Sequence, residues 1–161
     1  MAIAPRVQEY MTEHGLRYDV LTHPHSHNSM ETAHLARVPA NCLAKSVVLE
    51  DDDGFLMAVL PSTQHVQLGW LSKAMNRTLR LATEDELAGL FSDCEPGAVP
   101  PMGAAYGLRM VVDDSLIDQE EIYFEAGDHE KLIQMSRSDF MTMMEMESAD
   151  QLHFSEHHWR H

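Results

Sequence analysis

"CLAKSVVLEDDDGFLMAVLP", residues 42–61, carries two runs rich in aliphatic side chains on either side of the polar turn Asp51-Asp52-Asp53-Gly54. Runs of that length broken by an Asp/Gly turn read as two antiparallel strands of a hairpin. Upstream, "PRVQEYMTEHG" (5–15) sets Val7, Tyr10 and Met11 on one helical face between Pro5 and Gly15, a start and a stop. "LRYDVLTH" (16–23) alternates as a short strand, and "NSMETAHLARVP" (28–39) offers Asn28 as an N-cap with Glu31 three residues on. Downstream, "QLGWLSKAMNR" (67–77) reads as helix and "TLRLA" (78–82) as extended chain. "TEDELAGLF" (83–91) is helical, with Thr83 and Glu86 in capping-box positions. Three strands follow in "GLRMVVDD", "EEIYFEAGD" and "KLIQMS", then a last helix in "SDFMTMMEME". Hairpins are frequent and no strict β-α-β rhythm appears, so the expected class is α/β in the mixed α+β sense, with a largely antiparallel or mixed sheet.

The 161 residues suit one domain spanning 1–161, with the tail from about residue 150 expected to be loosely ordered. Apolar residues at 44% and charged residues at 23% are those of a folding globular chain rather than a disordered one. No apolar run reaches bilayer length and the first residues lack the apolar core of a secretory signal, so a cytoplasmic protein without a membrane partner is expected. Cys42 and Cys94 have no zinc or redox spacing. The charge is the unusual quantity: 26 acidic residues against 11 Lys plus Arg give −15. A polyanionic partner would be repelled at long range and has to be met by a local basic patch or delivered by another protein.

Lys45 shares the more apolar face of its strand with Leu43, Val47 and Leu49, while Ala44, Ser46, Val48 and Glu50 share the other. An ammonium aimed at a core finds an anion, lines a cleft or loses its proton; at a strand end it snorkels to water. The loop "CEPGAVPPMG" (94–103) combines fixed φ at Pro100 and Pro101 with the freedom of Gly97 and Gly103. Ala98, Val99 and Met102 are its other side chains after Pro96, so it can offer a ligand backbone groups and small apolar walls, or serve as a stiff connection.

His23, His25, His27 and His34 invite a metal site, against which stand Pro24 within the segment and the want of a spaced carboxylate. Asp128 and His129 form either an acid/base pair or a solvated turn. Lys73, Arg77 and Arg80 make the densest basic cluster, able to meet phosphates or to pair with Glu84, Asp85 and Glu86. No Ser/His/Asp order stands out.

Taken together, the lysine strand "LAKSVVL", then "AVLPSTQHVQLGWLSKAM", the loop "GAVPPMG" and the strand "IYFEAGDHEKLIQMS" resemble the YbaK-like aminoacyl-tRNA deacylases, related to the editing domain inserted in bacterial prolyl-tRNA synthetases. The resemblance runs from about residue 5 to about residue 145. It implies a mixed, curved, partly barrel-like sheet surrounded by helices, and hydrolysis of the ester joining a small wrong amino acid to the 3′ end of a tRNA. It also implies a reaction needing no metal, cofactor or covalent intermediate, helped by a ribose hydroxyl of the tRNA.

The catalytic set implied is Lys45 with Gly97, Ala98, Val99, Pro101 and Gly103. Ser46, His23, Pro100, Met102 and Asp128 fall toward the substrate, and Lys73, Arg77 and Arg80 are the candidate tRNA contacts. The partners expected are the aminoacylated tRNA 3′ end and, for delivery, an aminoacyl-tRNA synthetase. The rival readings are a non-catalytic aminoacyl- or nucleotide-binding module acting through a partner, and a metal-dependent hydrolase.

Overall fold

The hairpin of residues 42–61 is the spine of the sheet. β2 (Leu43–Asp51) runs antiparallel to β3 (Gly54–Pro61), from Ala44 opposite Pro61 to Asp51 opposite Gly54. Gly54 takes φ +137°, a conformation that side chains resist, and so closes the turn. The computed structural model describes residues 3–95, 98–147 and 149–152. Around the hairpin lie α1 (Pro5–Glu13), β1 (Asp19–Thr22), α2 (Ser29–Ala36), α3 (Leu68–Met75), β4 (Arg80–Leu81), α4 (Glu84–Leu90), β5 (Arg109–Asp113), β6 (Glu121–Glu125), β7 (Lys131–Ser136), α5 (Arg137–Met146) and β8 (Asp150–Leu152).

The strands form one mixed sheet in the order β1-β7-β6-β2-β3-β5-β8, with β4 added on β2. Hairpin neighbours pair antiparallel; β6 on β2, β5 on β3 and β8 on β5 pair parallel. The mixed sheet and surrounding helices match the sequence expectation; among the described residues the sheet is open, ending at β1 and β8, and does not close into a barrel. One edge of β2 is covered along its length by β3. The other is shared: β6 pairs with Leu43 and Ala44, β4 pairs with Leu49 and Glu50 and is extended by the Ala82 N–H to the Val48 carbonyl, and between them the strand ladder lapses over 45–47.

Alternation of side chains divides β2 between two apolar layers. Ala44 and Val48 face the principal core with Met57, Val59, Val112 and Phe124, closed by Val7, Tyr10 and Met11 of α1 and Phe140, Met143 and Met144 of α5. On the opposite face Leu49, Leu56 and Leu60 lie under Leu71 of α3, and Leu43 lies with Leu132 under Ala33 of α2. Lys45 shares its strand face with Leu43, Val47 and Leu49 as expected, but the larger core is on the other side and both faces are covered. A strand sandwiched between layers shows apolar residues at both parities, so its pattern cannot rank its faces.

The helix starts follow their local signals. Asn28 Oδ1 accepts the Glu31 N–H at 2.9 Å, and Thr83 and Glu86 form the reciprocal capping box. Each such cap contributes about 1 kcal/mol. The tail expected to be loose from about residue 150 is paired with β5 through Leu152; beyond that it lies outside the described residues.

Candidate functional site

Lys45 emerges where the two smaller cores part. On its face Leu43 belongs to the cluster under α2, while Val47 and Leu49 belong to the cluster under α3. The lysine lines a cleft of about 540 Å³ whose other walls are Asn28, Ser29 and Met30 at the start of α2 and Ser62, Thr63 and His65 after β3. Ser62 is anchored by donating its hydroxyl to the Leu43 carbonyl at 2.7 Å. Lys45 itself is half-buried and has no ion pair among the described residues. Burial lowers its pKa from the ordinary lysine value. The first turn of α2 brings the positive end of a helix to the same cleft. Two positive sources meet there with no carboxylate on the wall, an environment suited to a phosphate or to the oxyanion of an ester under attack.

The proline-rich loop has a different relation to this cleft. Gly97 lies outside the described residues. Ala98, Pro100, Pro101, Met102 and Gly103 are buried, and Met102 is part of the principal core. A Cβ on Gly103 would stand 2.6 Å from the Leu108 carbonyl oxygen, so the glycine is required by close approach rather than by a positive φ. The N–H groups of Ala98, Met102 and Gly103 already donate to Glu95 O, Pro100 O and Met110 Sδ. Val99 is the loop side chain that remains partly open; it lines a second hollow of about 310 Å³ with Leu87, Phe91 and Cys94. None of residues 98–103 lines the Lys45 cleft. Ser46 is on the opposite strand face from Lys45, its buried hydroxyl without a hydrogen-bond partner among the described residues.

Behind α2 lies a buried polar group in which sequence reasoning saw only His23, Asp128 and His129. His23, Ser26, Thr32, Glu125, Asp128 and His129 are all at most 4% exposed. Glu125 is the centre: one carboxylate oxygen accepts from Thr32 Oγ1 at 2.6 Å and lies 3.4 Å from His129 Nδ1, and the other stands 3.8 Å from His23 Nε2. Burial pushes the Glu125 carboxyl above the usual carboxylate range, opposed by the Thr32 hydroxyl and the two imidazoles. Asp128 is a turn anchor, its Oδ1 accepting the N–H groups of Glu130 and Lys131 and its Oδ2 standing 3.6 Å from Lys131 Nζ. His25 pairs with Glu95 at 2.9 Å. Among the described residues no three His, Cys, Asp or Glu side chains converge as a metal site.

Residues 23–143 match the family model for the aminoacyl-tRNA editing domain. The chain belongs to that family. No curated protein matches this editing domain. Its fold recurs in a crystal structure described as a "putative trans-editing enzyme for prolyl tRNA synthetase", at 22% identity, TM-score 0.83, covering 97% of this chain and 98% of the other. It recurs as well in a scaffold protein used for computational epitope grafting (19%, TM-score 0.82, covering 97% and 98%). A signal-transduction protein described as putative, from Marinobacter aquaeolei, shares it at 20% identity and TM-score 0.75; the match covers 93% of this chain and 30% of that longer one. No helix among the described residues of the editing domain is long and apolar enough to cross a membrane.

The basic cluster is largely engaged within the editing domain. Arg77 reaches Asp51 and Asp53 of the hairpin turn at 3.1 and 2.8 Å, and Arg80 reaches Glu50 at 3.1 Å. Their hydrogen-bonded partners are the hairpin carboxylates, and the Arg80 charge also acts on Glu86. Lys73 is exposed, with no ion pair among the described residues.

Proposed function

We propose that this editing domain is a free-standing hydrolase that removes a small, wrongly attached amino acid from the 3′ end of a tRNA, with Lys45 as the central residue of the site. The observation that carries the reading is a half-buried ammonium with no counter-ion among the described residues, facing a cleft of about 540 Å³, the size of pocket that takes a small ligand. Family membership supplies the substrate class, an aminoacyl-tRNA.

In the proposed reaction a water oxygen bonds to the ester carbonyl carbon, the carbon–oxygen bond to the ribose breaks, and the departing ribose oxygen takes up a proton. The ester is already labile, so the protein's part is to place the reactants and to stabilise charge as it develops. Lys45, with the first turn of α2, holds either the terminal phosphate or the carbonyl oxygen. Met30 and the side chains after β3 bound the space left for the amino acid, and a pocket of fixed size rejects larger residues better than smaller ones. Residues 98–103 do not line this cleft and are given no part in the reaction. Within the basic cluster Lys73 is the cation without an ion pair among the described residues, with Arg77 and Arg80 tied to the hairpin.

The test is release of labelled amino acid from Ala-, Ser- and Cys-charged tRNAs by the native protein and by Lys45→Ala. Lysine-dependent release is expected. An active alanine variant would overturn the role of Lys45, and tight binding with no turnover on any of the panel would favour a binding module.

A further inference from the structure

His23 and Glu125 present each other with a protonation problem. His23 Nδ1 lies 2.7 Å from the Pro24 carbonyl oxygen, and a carbonyl only accepts, so Nδ1 bears the hydrogen. In the neutral ring Nε2 is then a bare lone pair. It faces Glu125 Oε1 at 3.8 Å, and an ionised carboxylate is likewise acceptor-only. Both atoms are buried and neither has a hydrogen-bond partner among the described residues. A water donating to both would subtend an angle of about 105° and, with hydrogen bonds of about 2.8 Å, needs acceptors about 4.4 Å apart, more than this separation. Two facing buried acceptors are costly, and one proton between them removes the conflict.

The surroundings connect this pair to the cleft. Thr32, whose hydroxyl donates to Glu125 at 2.6 Å, is in α2, the helix whose first turn supplies Asn28, Ser29 and Met30 to the cleft wall. Ser26 Oγ contacts Thr32 Oγ1 and lies 3.4 Å from His129 Nδ1. The β2–β6 register sets Ala44 beside Phe124, so Lys45 and Glu125 are each one residue further along neighbouring parallel strands. The other charged or titratable groups around Glu125 are His129, in contact with it; Asp128 with Lys131 in the β6–β7 turn; and His25, its ring 5.7 Å from that of His129 and its Nε2 on Glu95.

We propose that Glu125 and His23 hold one proton in common, and that this pair, acting through Thr32, fixes α2 against the sheet and so keeps the wall of the Lys45 cleft in place. Glu125 is thus a positioning residue. The pair is neutral overall whichever atom carries the proton, and raising the pH strips it. Oε1 is then an anion opposite a lone pair, the carboxylate is driven away from His23, and the Thr32 bond to its other oxygen is pulled out of line, so the hold on α2 slackens. Glu125→Gln is the informative variant: its amide donates to His23 Nε2 while its oxygen accepts from Thr32, at every pH.

The measurement is backbone amide hydrogen exchange of Thr32 and Ala33, corrected for intrinsic rates, from pH 6 to 9, alongside nitrogen NMR of the His23 ring. In the native protein, protection in α2 should fall about tenfold as the shared proton leaves, the equivalent of one hydrogen bond to a charged group. The His23 Nε2 signal should move to that of a bare nitrogen over the same range. Glu125→Gln should keep α2 protected at pH 9, and Thr32→Val should lose protection at all pH values while leaving the His23 signal as in the native protein. Protection independent of pH in the native protein, or a Gln variant that follows the native pH dependence, would overturn the proposal. The link to the cleft rests on the deacylase reading and has its own readout: Glu125→Gln should keep activity to higher pH than the native enzyme. Absence of deacylation in the native protein would defeat the function proposed above and leave the exchange result to decide this one.

Discussion

Replacing Lys45 by methionine should abolish function and make the protein more stable. The lysine stem lies between Leu43 and Val47 on its strand face and opposite Leu60, a fully buried residue of β3. Methionine keeps an unbranched apolar stem against the same neighbours and drops only the ammonium. That ammonium is half-buried, its pKa is depressed by burial, and no carboxylate compensates it among the described residues. Functional residues held against local stability return about 0.5–2 kcal/mol when replaced by a better-fitting one. In a chain of this size each kcal/mol moves the melting temperature by about 2–4 °C, so Lys45→Met should melt roughly 1–8 °C above the native protein. Lys45→Ala provides the contrast. It removes three further methylenes, each worth up to about 0.8 kcal/mol if fully buried, so the gain from losing the charge is largely offset and its stability should stay near native. Calorimetry and urea denaturation read both. If Lys45→Met melts at or below the native protein, the charge is compensated within the fold, and the argument that it is held ready for a ligand fails.

Two further substitutions test the framework around the site. Gly103→Ala forces a Cβ to 2.6 Å from the Leu108 carbonyl oxygen and from Met110 Cγ. The methionine can swing aside but the backbone cannot, so urea denaturation should show a loss of about 1–3 kcal/mol. Asp51 is buried and accepts from Arg77, Arg109 and the Asp53 N–H. Burial alone would raise its pKa, but the Arg109 hydrogen bond, the Asp53 N–H and the two guanidinium charges outweigh it and hold the carboxyl below its ordinary value. A depressed folded pKa gives stability that is present above the unfolded value of about 3.9 and is lost as the pH falls through the folded one. Asp51→Asn should therefore cost about 1–3 kcal/mol at neutral pH, with the difference from native shrinking toward pH 3 in acid denaturation curves.

What the sequence disclosed was local. The hairpin of 42–61, the stop at Gly15 and the caps at Asn28 and Thr83 each rest on residues within a turn of one another, and each appears in the fold where the pattern placed it. Lys45 stood out because one charge interrupted an aliphatic strand. The failures share a different cause. Arg77 was weighed against acids that follow it in the chain, whereas its partners Asp51 and Asp53 precede it by 26 and 24 positions and arrive through the β2–β4 pairing. Glu125 gave no signal, since a glutamate at the end of a strand reads as exposed; its burial depends on Thr32, 93 positions away, and on α2 lying across the sheet. The proline-rich loop was left open between a ligand wall and a stiff connection, because spacing cannot say which side of a stiff loop becomes core.

The ties between α3 and the hairpin turn bear on how the domain would meet an RNA. Arg77 and Arg80 are already neutralised by Glu50, Asp51 and Asp53, which leaves Lys73 as the cation of that cluster able to displace a counter-ion. A contact that releases about one ion loses only some threefold to fourfold in affinity between 50 and 200 mM salt, where one releasing six or more loses a thousandfold. With 26 acidic residues over the chain, long-range attraction would contribute little at any ionic strength. Recognition on such a surface would be a matter of short-range fit at the acylated end, and it would vary little with the salinity of the medium in which the protein works.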